Sequence, residues 1–238
     1  MRMLGTKTSL STFRWDLVYL SAQLTADQRP GVAALAGPVQ TLLTKLKTER
    51  DALEQAEDAV IVASALLNKK DQHRDGVLVE AGGVARASDK AVYTTLFPKL
   101  NPSGTARLGV DAESAEVSRI LGELAKLPVD HLLRTAYEPE LIAAEAAVKA
   151  ADAQSDEAVT ALALQRSQLD RFKLEVDQAR LSTHGQLVTL LKDKAEADAF
   201  YRPVSSMPAD EAKPDATPPA TPASPSVPGA PTTPVATP

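Results

Sequence analysis

A run of apolar residues at an unbroken spacing of seven constrains this chain more than any other feature in it. Val32, Val39, Leu46, Leu53, Val60 and Leu67 occupy every seventh position, and Leu35, Leu42, Glu49, Ala56, Ala63 and Lys70 follow each by three. Two mostly apolar positions per seven residues make a stripe on an α-helix; a strand would return to one face at every second residue. A second series repeats the pattern. Leu141, Val148, Ser155, Leu162, Leu169, Val176, Thr183, Leu190 and Ala197 are followed at three residues by Ala144, Ala151, Ala158, Gln165, Phe172, Ala179, Gln186, Asp193 and Phe200. A strict spacing of seven underwinds the helix and calls for left-handed supercoiling against a neighbour. The expected fold class is therefore all-α, an elongated antiparallel helical bundle of about five helices, two of them long and heptad-patterned. Glu49, Lys70, Ser155, Gln165, Gln186 and Asp193 interrupt the seams, which favours an irregular intramolecular bundle over a uniform two-stranded coiled coil.

The remaining elements follow from spacing and punctuation. Leu10, Phe13, Leu17, Leu20 and Leu24 predict an amphipathic helix from Ser9 to Leu24, with Trp15 and Tyr19 off its stripe. The first long helix is expected to begin near Pro30 or at Pro38 and to end between Asn68 and Asp75, where polar residues crowd before Gly76. Val77 to Leu96 reads as a separate helix. Its Gly82-Gly83 pair costs helix stability unless a neighbour crosses closely there. Pro98 ends that helix, an irregular loop runs to Gly109, and Val117, Ile120, Leu121, Leu124 and Leu127 mark a helix that Pro128 stops. Glu138-Pro139-Glu140 reads as the start of the second long helix, with Asp152 to Glu157 and His184-Gly185 as places where it could bend.

Eleven of the seventeen prolines lie beyond Arg202, and Pro219, Pro222, Pro225, Pro228, Pro231 and Pro234 recur at every third position. Such a segment cannot bury enough apolar surface to fold. The expected organisation is a helical bundle domain over residues 1–201 and a disordered Pro/Ala/Thr-rich tail over 202–238.

Composition narrows function by exclusion. With no cysteine there is no disulfide, thiolate metal site or cysteine nucleophile. A net charge of −5 argues against coating nucleic acid or an anionic membrane. Lys69, Lys70 and Arg74 form a local basic group, but Asp71 and Asp75 interleave with it, so it reads as a solvated helix face. The longest apolar run, Ala59 to Ala63, is too short to span a bilayer, and no signal-peptide pattern is present, which makes the cytoplasm the default location.

No catalytic, cofactor-binding or metal-ligating constellation emerges. None of His73, His131 and His184 has a glutamate three residues before it, as buried bundle metal sites require. Gly104 to Val110 has phosphate-loop glycine spacing without the lysine and hydroxyl residue that must follow. Glu54/Glu57 and Glu113/Glu116 read as solvated pairs, and Glu145/Lys149 as an ordinary stabilising pair one turn apart. The loop that carries Phe97, Leu100 and Arg107 is the internal feature best suited to contact a partner. The function expected is a non-enzymatic structural or protein-interaction bundle, with a protein partner or self-association and no cofactor, nucleic acid, membrane or identifiable small-molecule substrate. Two alternatives stand beside it: a pocket assembled from His131, Tyr137, Arg107 and Asp111, or an adaptor that grips client helices.

Overall fold

The computed structural model describes residues 1–203, and all regular structure among them is helical. Seven α-helices run in chain order: α1 Leu10–Ala26, α2 Ala36–Ser88, α3 Lys90–Leu96, α4 Pro102–Thr105, α5 Val110–Leu124, α6 Leu132–Leu191 and α7 Lys194–Ala199. A short 3-10 turn, Ala33–Leu35, leads into α2. The expected tail, with its proline repeat, lies outside the described residues apart from its first two positions.

Both heptad seams fall on the long helices. On α2 and its lead-in turn, every one of the seam residues from Val32 to Lys70 is buried or half-buried. On α6 the seam is inward from Leu141 to Thr183, then turns outward at Gln186 and Leu190. The first break is at Lys192, whose φ of 55° lies in the left-handed region, followed by Asp193, which caps α7 by accepting from the amides of Ala195 and Glu196. Asp152 to Glu157 and His184-Gly185 leave α6 unbroken.

Three boundaries differ from the sequence expectation, each for a tertiary reason. α2 does not stop between Asn68 and Asp75 but continues through Gly76, Gly82 and Gly83 to Ser88, because Val77, Leu78, Ala81 and Ala85 are buried in a core that rewards continuation. α6 starts at Leu132, well before Pro139. His131 accepts from the Leu133 amide through Nδ1 at 3.2 Å, and Leu133, Tyr137 and Leu141 recur at four-residue spacing in the same core. The loop after Phe97 is not wholly irregular. Asn101 caps α4 by accepting from the Gly104 amide at 2.7 Å, and Pro102 at the first position suits a turn that needs no N–H there.

The described residues form two compact units, residues 1–46 with 171–203, and Lys47–Asp170. In the first, Phe13, Leu17, Leu20 and Leu24 of α1 are fully buried, as their spacing predicts. Phe172, Val176 and Leu187 of α6 are buried in the same unit. The carboxylate of Asp177 ties down the segment before α1, accepting from the amides of Leu4 and Gly5, the latter at 2.8 Å. Gly5 makes that turn possible with a φ of +76°, which a side chain would strain. Arg180 joins Asp177 at 2.6 Å and also pairs with Asp16 of α1, and the Tyr201 hydroxyl donates to the Arg180 carbonyl at 2.8 Å. Trp15 and Tyr19 are half-buried, and the Arg202 guanidinium lies 4.9 Å from the centre of the Trp15 ring.

In the second unit α2 and α6 run antiparallel. Glu49 accepts from Gln165 at 3.1 Å, Arg74 meets Glu145 at 2.8 Å, and Glu80 accepts from Tyr137 at 3.2 Å, so positions rise on one helix as they fall on the other. The core fills one end, where α3 and α5 join Val77 to Ala85 and Leu133 to Leu141. Between Lys47 and His73 of α2 only Ala63 is buried, and between Asp152 and Gln168 of α6 only Leu162.

Candidate functional site

Two features of the second unit have chemical or surface character beyond packing. The first centres on Arg74, which the sequence placed on a solvated face and which is fully buried. Its Nη2 lies 2.6 Å from Asp71 on the same helix and 3.2 Å from Glu113 in the first turns of α5. Its Nη1 reaches Glu145 of α6 at 2.8 Å and the Ser114 hydroxyl at 2.9 Å. Glu113, also expected on a solvated face, is fully buried. Glu145 does pair with Lys149, at 3.2 Å, but its other oxygen belongs to the buried cluster.

Asp75, one residue past Arg74, completes the group. Four carboxylates thus surround one buried cation. The acids respond differently. Burial first, and then the hydrogen bond with Asp75, raise the Glu113 carboxyl to about 8 against the pull of Arg74. Asp75 is raised as well, chiefly by burial. Burial also pushes Glu145 upward, but hydrogen bonds from Arg74, Ser114 and Lys149 outweigh it and hold that carboxyl below its usual range. Neither Asp75 Oδ1 nor either Glu113 oxygen receives a hydrogen bond from another protein donor, so a proton held between the two carboxyls satisfies both.

Ligand oxygens of Asp71, Asp75 and Glu113 lie within 4.8 Å of one another, a span that a divalent cation's oxygen shell covers. The guanidinium of Arg74 already supplies positive charge to Asp71 and Glu113, and it repels a second cation at that point. The cluster's chemistry is therefore to hold a proton and to lock α2, α5 and α6 together.

The second feature is an open stripe. Ile61, Val62 and Leu66 of α2 are 66%, 67% and 38% exposed. With Ala65, also exposed, they cover the side of α2 away from the seam of Val60, Ala63 and Leu67, Val62 and Ala65 directly opposite it and Ile61 and Leu66 on the two flanks.

The structure separates the residues that the sequence offered for partner contact. Phe97 is buried in the core, its ring centre 5.5 Å from that of Tyr93, while Leu100 and Arg107 are exposed. The close approach expected at Gly82-Gly83 occurs at Gly82 alone, where an added Cβ would run into the ring of Pro102. Of the residues suggested for a dispersed pocket, Tyr137 engages Glu80, His131 caps α6, and Arg107 and Asp111 are exposed. No hydrogen bond or ion pair joins any two of these four among the described residues.

Sequence reasoning missed the Arg74 cluster because its members lie on three helices far apart in the chain. Asp71 and Asp75 at three and one residues from Arg74 were a faint local signal. No helix among the described residues is long and apolar enough to cross a membrane. Compared with protein-family models, curated proteins and solved structures, the chain matches none of them.

Proposed function

We propose that this chain is a non-enzymatic interaction protein, a helical bundle of the cytoplasm that offers the outer face of α2 to another protein. The observation that carries the reading is the apolar stripe of Ile61, Val62, Ala65 and Leu66, laid open where only two helices pair. Scattered exposed apolar residues are ordinary, whereas adjacent ones on one helical face favour association. A second support is that the buried guanidinium groups of Arg74 and Arg180 are engaged in ion pairs that join helices, which is a structural use of charge.

An adaptor for client helices would use an apolar stripe too. This stripe covers only the turns from Ile61 to Leu66 and is flanked by charge, which suits one defined partner better than a general client groove.

The test is a Val62→Glu variant of the full chain, compared with wild type by chemical crosslinking and mass analysis in its native host. Position 62 is exposed, so the fold is expected to hold, as a circular dichroism melt would check. Loss of wild-type crosslinks centred on α2 supports the reading. An unchanged crosslink pattern sinks it.

A further inference from the structure

The charges flanking the stripe say what covers it. On the outer face of α2, Glu54 and Asp58 precede the apolar residues, and Lys69 and His73 follow them; all four are exposed. Asp58, Val62, Ala65, Lys69 and Gln72 alternate spacings of four and three, so they form a second, shorter heptad line on the back of a helix whose front line faces α6. Neither Asp58 nor Lys69 has an ion-pair partner among the described residues. The stripe is thus acidic at one end, apolar in the middle and basic at the other.

We propose that the occupant of this face is a second copy of the same chain, with the two α2 helices packed antiparallel about a two-fold axis between Ala63 and Ser64. This deepens the interaction reading above and rests on it. A two-fold contact must be complementary to itself. In the antiparallel arrangement, Asp58 of one copy stands opposite Lys69 of the other, and the pair occurs twice. Val62 then meets Ala65 across the axis, while Ile61 lines one flank of the contact and Leu66 the other. Charge selects this direction, because a parallel pairing in register would set Asp58 against Asp58 and Lys69 against Lys69. Ala65 near the axis lets the helices approach closely, and the two-helix section of each copy becomes part of a four-helix layer.

The experiment is sedimentation of the full chain across the micromolar range, with Asp58→Lys, Lys69→Asp and the double variant. Wild type is expected to dimerise. Each single swap sets two like-charge contacts in place of two attractive ones and weakens dimerisation roughly tenfold. The double variant restores the pairing with reversed sign. Mixing the two single variants also restores it: at one contact the introduced lysine faces the introduced aspartate, and at the other the native Asp58 faces the native Lys69. A wild-type chain that stays monomeric, single swaps that leave the dimer unchanged, or a mixture that does not recover it would each overturn the proposal. If the chain is monomeric but its crosslinks to a different protein vanish in Val62→Glu, the interaction reading stands and the self-pairing alone falls.

Discussion

Arg74 and the four acids around it show how one buried cation governs several neighbours. Removing the guanidinium leaves carboxylates buried without a counter-charge, so Arg74→Ala is expected to lose about 3–5 kcal/mol of stability in urea unfolding. Glu113 acts in the opposite sense. Its carboxyl is raised to about 8 in the fold, above its value in an unfolded chain, so the folded state binds its proton more tightly. Its contribution to stability is fully present below the unfolded value and is lost as pH rises through about 8. Glu113→Gln keeps the shape without the titration. Unfolding midpoints of wild type are therefore expected to fall between slightly acid and alkaline pH more steeply than those of Glu113→Gln, and the two curves should separate most above about pH 8. None of this was legible locally, because Arg74 among Lys69, Lys70, Asp71 and Asp75 has the composition of a solvated turn. Its burial depends on Glu113 and Glu145, which reach it only after α5 and α6 have folded back onto α2.

At the scale of elements, the seams were the readable part because a period is a property of one helix. Leu141, Val148, Leu162, Leu169 and Val176 fall inward as their spacing requires. Helix ends were less readable, since they depend on what the next element contacts. Asp193, with Glu196 three residues later, carries the signature of a helix start, yet the run of alanines and apolar residues through it reads as continuous helix. The glycine pair in α2 gives a test of this principle. Gly82→Ala would drive its methyl into Pro102 of α4 and is expected to cost about 1–3 kcal/mol. At Gly83 nothing lies within 4 Å of an added Cβ, and alanine there should stabilise α2 by up to about 1 kcal/mol. Thermal melts of the two single variants should shift in opposite directions. Matching shifts would mean that α4 does not seat on Gly82.

For the whole molecule, burial is unevenly distributed along the two long helices. Leu78, Leu133 and Leu141 in one unit, and Leu17, Leu20 and Val176 in the other, are completely enclosed. Between Lys47 and His73, α2 has a single buried residue, and the facing stretch of α6 has one as well. Local opening is easiest where few apolar contacts must be broken, so amides of these middle turns are expected to exchange with solvent faster than those beside the enclosed leucines. Self-pairing adds a concentration dependence that an isolated chain cannot have. As protein concentration rises, protection should increase over residues 58–69 of α2, whose outer face the second copy covers. Residues 155–168 of α6 contact α2 from the other side and should gain little directly. Hydrogen exchange at two concentrations separates the cases. A rise confined to α2 supports the two-fold contact, an equal rise on both helices points to a general tightening of the bundle, and no rise means that the apolar stripe stays open in solution.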